Sequence, residues 1–264
     1  MIQPLAYIHP QAKIAGNVVI EPFVTIHKDV VIEDGTWIGS NVTIMDGARI
    51  GKNCRIFPGA VISGIPQDLK FDGEDTTVEI GDNTTIRECV TINRGTKDKW
   101  KTVIGKNCLI QAYSHIAHDC IIGDNCIFSN SSTLAGHITV GDYVVLAGLV
   151  AVHQFCHIGS HAFIAGGSLV RKDVPPFVKA AREPLSYVGI NSVGLRRRGF
   201  SSSQINEIQD IYRILFVKNN NLTKALDIIE AEYKPTEVRD EILDFIRNSN
   251  RGVMKGFCQS KGML

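Results

Sequence analysis

The sequence predicts an all-β fold, a parallel β-helix built from hexapeptide repeats, followed by a C-terminal α-helical domain. Aliphatic residues recur every six positions along most of the chain, glycines often follow them, and the apolar spacing becomes helical after about residue 190. The 264 residues are 44% hydrophobic but only 7% aromatic, and 24 of them are glycine. This composition favours a narrow interior of small and β-branched side chains over an aromatic core.

The six-residue period is the strongest of these signals. Isoleucine occupies ten consecutive positions at this spacing, from Ile8 to Ile62, and aliphatic residues or phenylalanine continue the series to Val170. A period of six fits neither an α-helix nor a simple alternating strand, but it is typical of a β-helix in which each unit forms a short strand and a turn. Three units make a coil of roughly 18 residues, so about nine coils fit into residues 1–190.

Two polar segments interrupt the repeat, near residues 63–78 and 93–103, and we expect each to form an inserted loop. Small residues lie two positions before the aliphatic ones, where strand alternation also points them inward. Five of the seven cysteines occupy this position: Cys54, Cys108, Cys120, Cys126 and Cys156. The chain has no CxxC pair and no tight Cys/His metal spacing, so we interpret these cysteines as reduced, space-filling thiols.

Residues 191–264 have a different pattern, which predicts a small helical domain. Ser201 and its neighbours are suitable N-caps for a helix that carries isoleucines at helical spacing. Apolar residues from Leu222 onward predict a second helix, and Pro235 is predicted to open a third.

Charge and hydropathy exclude several classes of function. The chain has 28 Lys+Arg against 27 Asp+Glu, and a net charge of +1 lacks the basic excess of general nucleic-acid-binding proteins. No apolar run is long enough for a transmembrane helix, so no membrane insertion is expected. The segment Met1–Leu5 shows no export signal, so we expect a cytoplasmic protein.

Histidines are concentrated between positions 115 and 161, where six of the eight occur. Stacking the chain in steps of roughly 18 residues brings polar residues to one edge of the prism. These residues are His118, Asp119, Gly136, His137, His153 and Gln154. The set suits acyl transfer, because an imidazole can take a proton from a hydroxyl, a carboxylate can fix its tautomer, and a glycine N–H can bind an oxyanion.

The residues alone leave other interpretations open. Three histidines on one edge of a β-helix can also bind zinc and activate water, as in a hydratase. Single surface histidines such as His9, His27, His157 and His161 are expected to be solvated. The basic run 196–198 suits either a solvated turn or a diphosphate site. A non-catalytic scaffold or a module that binds acyl carrier protein would keep the repeat without needing the histidine edge.

Three motifs in order make the sequence resemble the UDP-N-acetylglucosamine 3-O-acyltransferase family. They are HIAHDC at 115–120, LAGH at 134–137 and AVHQF at 151–155. Further matching segments are Gln67–Lys70, Ile86–Glu88, Asn93–Thr96, Asp173–Pro176, Gly194–Leu195 and Arg197–Phe200. The resemblance covers essentially the whole chain, and these motifs are much more specific than the hexapeptide period.

The resemblance implies a left-handed β-helix and a homotrimer with active sites in the clefts between subunits. It implies transfer of an (R)-3-hydroxyacyl chain from acyl carrier protein to the 3-hydroxyl of UDP-N-acetylglucosamine, the first step of lipid A biosynthesis. The sugar hydroxyl would attack directly, with His118 as general base, Asp119 as its orienting group and the Gly136 N–H as oxyanion donor. No metal and no resident cofactor is expected, because the acyl donor arrives on the phosphopantetheine of acyl carrier protein.

Substrate-binding residues are implied in the same way. Those expected to line the sugar and acyl sites are Asp68, Lys70, His115, His137, His153 and Gln154. Those expected at the nucleotide are Asn191, Arg197 and Arg198, and those expected to keep an acyl groove open are Gly148 and Gly166. Val193 replaces a carboxylate of the best-known members, and Pro184 replaces a histidine associated with the end of the acyl groove.

The nearest enzyme alternative is the later N-acyltransferase of the same pathway, which also has a hexapeptide β-helix and a helical tail. That family carries an additional N-terminal uridine-binding domain. Because the repeat here starts at Ile8, the sequence leaves no room for such a domain and favours the O-acyltransferase.

Overall fold

Three parallel β-sheets form the faces of a triangular prism in the computed structural model, which describes residues 1–218 and 221–256. Face 1 contains Tyr7–Ile8, Thr25–Ile26, Thr43–Ile44, Val61–Gly64, Thr91–Asn93, His115–Ile116, Thr133–Leu134, Ala151–Val152 and Leu169–Val170. Face 2 contains Lys13–Ile14, Val31–Ile32, Ala48–Ile50, Thr77–Ile80, Lys101–Ile104, Ile121–Ile122, Thr139–Val140 and His157–Ile158. Face 3 contains Val19–Ile20, Trp37–Ile38, Arg55–Ile56, Thr85–Ile86, Leu109–Ile110, Ile127–Phe128, Val145–Leu146, Phe163–Ile164, Val178–Ala181, Ser186–Ile190 and Lys255–Gly256.

The strand register follows the six-residue period. Along face 1, Ile116 pairs with Leu134, which pairs with Val152, so aliphatic side chains stack on their equivalents in the next coil. Each such isoleucine contributes about 2 kcal/mol by its burial. The five cysteines that lie two positions before aliphatic or phenylalanine residues of the repeat are at most 2% exposed, which confirms that they fill the interior: Cys54, Cys108, Cys120, Cys126 and Cys156.

Turns between the faces form three corners, which recur from coil to coil. Corner 1 joins faces 1 and 2 and includes the turns 118–119, 136–137 and 154–155. Corner 2 joins faces 2 and 3 and includes 124–125, 142–143 and 160–161. Corner 3 joins faces 3 and 1 and includes 130–131, 148–149 and 166–167. The residues between Gly64 and Thr77, and those between Asn93 and Lys101, are longer connections at corner 1.

Within the described residues, four α-helices follow the last coil: α1 (Ser192–Arg197), α2 (Ser202–Arg213), α3 (Leu222–Glu232) and α4 (Glu237–Arg247). A π-helical turn, Ile214–Lys218, extends α2. The predicted serine cap is confirmed, because the Ser201 side chain accepts the Gln204 N–H in a capping box. Pro235 does not open α4; that prediction was wrong because Thr236 is the N-cap, its hydroxyl accepting the Arg239 N–H. Residues 219, 220 and 257–264, Cys258 among them, lie outside the described residues.

The helical domain packs against the end of the prism. The Tyr212 hydroxyl donates to the Pro176 carbonyl at 2.6 Å, and the Ser249 hydroxyl donates to the Asp173 carboxylate at 2.6 Å. An antiparallel hairpin, Val178–Ala181 with Ser186–Ile190, extends face 3 at this end, and Lys255–Gly256 pairs with its second strand. Within residues 1–218 and 221–256, no helix is long and apolar enough to cross a membrane.

Candidate active site

Corner 1 brings His118 and Asp119 together in a buried dyad. The distance between His118 Nδ1 and Asp119 Oδ2 is 2.9 Å, and His118 is 9% exposed while Asp119 is fully buried. An ionised carboxylate only accepts hydrogen bonds, so Nδ1–H is the donor, and in the neutral imidazole this tautomer leaves the lone pair on Nε2. The dyad therefore presents Nε2 as a base.

The second inserted loop holds Asp119 in its ionised form. The Thr96 N–H (3.0 Å), the Thr96 hydroxyl (2.6 Å) and the Lys99 N–H (3.2 Å) all donate to this carboxylate. Burial alone would raise the pKa of Asp119, but the hydrogen bonds from His118, Thr96 and Lys99 lower it to about 2. Asp119 is thus a fixed negative charge that orients the imidazole.

Gly136 lies directly against the imidazole, one coil above it. A Cβ atom built on Gly136 would be 2.6 Å from His118 Cε1 and 2.8 Å from Nε2, closer than any real contact of this kind. Within the described part of the chain, the Gly136 N–H donates no hydrogen bond to protein. Only glycine therefore leaves space beside Nε2, and its N–H remains available as an oxyanion donor.

His137 lies one coil above Asp119, next to the dyad. Its ring meets that of His118 edge to face at 4.9 Å and stacks on Phe155 at 4.5 Å. Its Nδ1 lies 2.9 Å from Asp98 Oδ2, so a carboxylate from the second loop orients this histidine as well. Asp119, His137 and Phe155 all have φ near +60°, a strained left-handed conformation for these residue types that the stacked turns impose.

An open cavity of about 390 Å³ lies between His137, Phe155 and the two inserted loops. It is lined by Asp68, Lys70, Glu74, Thr96, Lys97, Asp98, His137 and Phe155. The first loop therefore brings its two predicted residues, Asp68 and Lys70, to the same cavity as His137.

Two more predicted histidines lie near corner 1: His115 is in the face 1 strand His115–Ile116, and His153 directly follows the face 1 strand Ala151–Val152. His115 Nδ1 is 2.7 Å from the Thr91 hydroxyl, and burial, followed by the charge of neighbouring His118, lowers the pKa of His115. His153 is exposed, and its Nδ1 lies 2.8 Å from Arg251 Nη2. Gln154, next to His153, is also exposed at corner 1.

The site offers a set of ligand atoms that a metal could use, in His118, Asp119 and His137, all within 4.8 Å of one another. However, Asp119 already accepts from three residues, and the guanidinium of Arg251 lies against His153, the third histidine of the zinc hypothesis. A fixed cation at that position disfavours a second one. The geometry favours acid–base chemistry at the dyad.

Comparison with known proteins agrees with this chemistry. A sequence profile described as "Udp N-acetylglucosamine O-acyltransferase; Domain 2" matches residues 173–254, and one for bacterial transferase hexapeptide repeats matches 29–64 and 101–136. An acyl-[acyl-carrier-protein]--UDP-N-acetylglucosamine O-acyltransferase from Aliivibrio fischeri is 47% identical, over 97% of this chain and 100% of the relative. The chain belongs to the UDP-N-acetylglucosamine O-acyltransferase family.

Solved structures support the same assignment. The acyltransferase from Bacteroides fragilis has a TM-score of 0.95 and 51% identity, covering 97% of this chain and 100% of that one. The enzyme from Francisella novicida has a TM-score of 0.93 and 43% identity, covering 97% and 94%. The resemblance and the fold are thus confirmed: this acyltransferase is a left-handed parallel β-helix with a C-terminal helical region. Family membership also decides against the zinc-dependent hydratase and the later N-acyltransferase.

The predicted nucleotide residues of the acyltransferase lie at corner 2, not at corner 1. Arg198 Nη1 is 3.3 Å from His161 Nδ1, and Arg197 precedes it as an exposed residue of α1. Asn191 is buried: its Oδ1 accepts the Gly194 N–H that caps α1. The expectation that His161 is solvated was wrong, because this ring is stacked between two aromatic rings.

The predicted acyl-groove glycines lie at the remaining corner. Gly166 stacks over Gly148 at corner 3, and a Cβ on Gly166 would be 3.1 Å from the Gly148 carbonyl oxygen. Pro184 contributes to a largely apolar cavity of about 360 Å³ with Leu169 and Leu185, and Val193 is exposed on α1. Within one chain, the predicted base, nucleotide residues and groove glycines therefore occupy three different corners.

Thr96 is a residue whose role the sequence did not reveal. We expect Thr96→Val to lower kcat about tenfold with little change in KM, because it removes one charge-assisted hydrogen bond from Asp119. Thr96→Ser keeps the hydroxyl and should retain most of the activity. Steady-state kinetics with both variants test this, and equal rates for Val and Ser would contradict the orienting role.

Proposed function

We propose that this enzyme transfers an (R)-3-hydroxyacyl chain from acyl carrier protein to the 3-hydroxyl of UDP-N-acetylglucosamine, the first step of lipid A biosynthesis, in the cytoplasm. One observation carries the proposal: Nε2 of His118, which could act as a base, and the Gly136 N–H, which could bind an oxyanion, lie side by side. The family to which the chain belongs is named for this reaction. The acyl donor brings its own phosphopantetheine thioester, so the proposal needs no resident cofactor.

The reaction follows from the positions of these groups. Nε2 of His118 takes the proton of the sugar hydroxyl while its oxygen attacks the thioester carbonyl carbon. The Gly136 N–H stabilises the resulting oxyanion, and Asp119 stabilises the imidazolium. Collapse of the tetrahedral intermediate re-forms the carbonyl, now that of the ester, and breaks the C–S bond, and the departing thiolate receives the proton from His118. No covalent acyl-enzyme is required.

Product identity tests this function directly. Purified enzyme is incubated with UDP-N-acetylglucosamine and a panel of 3-hydroxyacyl carrier proteins of different chain length, and products are identified by mass spectrometry. We expect one O-acylated sugar nucleotide to form with a clear preference for chain length, and none to form when the same acids are supplied free. Absence of an ester product with every carrier-bound chain would refute the proposal.

We propose further that the working enzyme is a homotrimer, because one chain separates the residues that a single site needs. The base lies at corner 1 and Arg197 and Arg198 belong to the elements at corner 2, on opposite edges of face 2. Corner 2 of a neighbouring subunit placed against corner 1 would complete the site. Asp68 and Lys70, in the loop that projects from corner 1, would line the cleft.

Mixing differently defective subunits tests this arrangement. At sugar-nucleotide concentrations well below KM, where His118→Ala and Arg197→Ala are both impaired, co-expression of the two chains should restore part of the wild-type activity, since some clefts then contain an intact histidine and an intact arginine. Sedimentation should give a mass three times that of the chain. Failure of the mixture to exceed either parent would contradict a shared site.

Arg197 is expected to act in binding rather than in the chemical step. Arg197→Ala should raise the KM for the sugar nucleotide about tenfold and leave kcat nearly unchanged, because a guanidinium contact to phosphate is lost. Arg213→Ala removes the same charge from an exposed site in α2 and serves as the control. An unchanged KM for the Arg197 variant would remove the phosphate role.

A further inference from the structure

Aromatic rings are stacked along corner 2, with His161 at the centre. His161 stacks on Tyr143 at 5.0 Å and 5° and on Phe177 at 5.5 Å and 16°, while Phe200 meets it edge-on at 5.1 Å. Tyr143, His161 and Phe177 occupy the same turn position in successive coils, each with φ near +60°. The coil geometry therefore fixes the plane of the imidazole.

This ring is in contact with the arginine predicted to bind phosphate. Arg198 Nη1 lies 3.3 Å from His161 Nδ1, and its guanidinium carbon is 5.1 Å from the centre of the Tyr143 ring. Arginine has donors only, so Nδ1 must accept and the imidazole must be neutral. Burial, followed by the charge of Arg198, lowers the pKa of His161 to about 4, which is consistent with a neutral ring.

The backbone of His161 holds the other predicted nucleotide residue. Its carbonyl oxygen accepts the Asn191 Nδ2–H at 2.9 Å. Asn191 Oδ1 in turn caps α1 through the Gly194 N–H, and α1 carries Arg197. One residue of the β-helix thus fixes the start of α1 and the guanidinium that follows its end.

We propose that His161 is a positioning residue for the nucleotide end of the site, holding Arg198 and, through Asn191, the helix that carries Arg197, so that both guanidinium groups can receive the diphosphate of UDP-N-acetylglucosamine. This inference rests on the proposed function. A neutral acceptor fits the task because it orients the guanidinium without cancelling its charge. A carboxylate in the same place would form an ion pair and compete with the phosphates.

Two substitutions test separately the hydrogen-bond acceptor of His161 and its stacked ring. His161→Phe keeps the stack and removes the acceptor, whereas His161→Asn places an amide oxygen near the position of Nδ1 and removes the ring. We expect His161→Phe to raise the Kd for UDP and the KM for the sugar nucleotide about tenfold, with kcat within about twofold of wild type and an unchanged Tm. His161→Asn should lower Tm yet recover most of the affinity. A merely structural role for His161 predicts the reverse order of affinities.

The measurements are UDP titration calorimetry, thermal unfolding and steady-state kinetics on the full chain. In an Arg198→Ala background, His161→Phe should cause no further loss of UDP affinity, since both changes remove one interaction. Wild-type affinity in the single Phe variant, or additive losses in the double variant, would overturn the positioning role. If the wild-type enzyme bound no UDP and formed no product, the proposed function itself would fail. If the wild-type enzyme is active but His161→Phe binds UDP normally, only the positioning role of His161 fails.

Discussion

Replacing His118 by alanine is expected to lower kcat about a thousandfold, the contribution of a well-placed general base. Nε2 of His118 is the free nitrogen of the dyad, because Nδ1 donates to Asp119. The fold should survive, since Asp119 would keep the hydrogen bonds from Thr96 and Lys99 after the imidazole is gone. Single-turnover rates with carrier-bound acyl chains measure the loss, and thermal unfolding checks the fold.

His9→Ala is the matched control for this variant. His9 follows the first strand of face 1, at the far end of the prism from the helical domain, and its Nδ1 accepts the Gln11 N–H. The same substitution there should leave the rate unchanged. Near-wild-type turnover by His118→Ala would remove the assignment of the base, whatever the effect on substrate binding.

The residues around the dyad could be predicted from sequence because residues 18 positions apart stack in successive coils of the repeat. Once Ile116 and Leu134 are known to stack, Gly136 must lie above His118 and His137 above Asp119. The structure has this stacking, with rings of His118 and His137 at 4.9 Å. In a chain without such a period, residues 18 positions apart would carry no spatial information.

The inserted loops could not be placed with the same precision, because they break the period that gives the coordinates. Thr96 and Asp98 hold Asp119 and His137, and neither role followed from the chain alone. One signal was available: the interruption near 93–103 replaces the turn directly below 118–119, so its residues had to lie beside the dyad. The same register places His161 directly above Tyr143, whereas Phe177 lies 16 rather than 18 positions further on, so its contact with His161 does not follow from the period.

The helical domain was predicted in outline only. Local capping chemistry identified Ser201, but the helix predicted to open at Pro235 begins after Thr236, because of a side-chain hydrogen bond that sequence spacing does not fix. The short helix α1 was not predicted at all. It is fixed by Asn191, whose amide reaches the His161 carbonyl across 30 positions of the chain. Contacts between the repeat and the non-repeating domain have no period from which they could be derived.

Replacing Gly136 by alanine should reduce kcat by roughly a hundredfold or more, since a displacement of about 1 Å at a catalytic group has an effect of this size. The added methyl would be 2.6 Å from His118 Cε1 and 2.8 Å from Nε2, so the imidazole must move. Gly136 has no positive φ, so alanine introduces no backbone strain there, and Tm should change little.

Gly16→Ala provides the matched control, because Gly16 also lacks a positive φ and has no atom within 4 Å of the position that an added methyl would occupy. That variant should keep full activity, which separates the steric effect at Gly136 from the general effect of a methyl group on a turn. Chemical shifts test whether Gly136 acts by leaving space beside Nε2, as distinct from donating its N–H to the oxyanion.

If alanine displaces His118, chemical shifts of the imidazole should change in the free enzyme, before any substrate binds. If these shifts and kcat both stay at wild-type values, Gly136 is not needed for the space beside Nε2, and the packing of corner 1 would not explain catalysis.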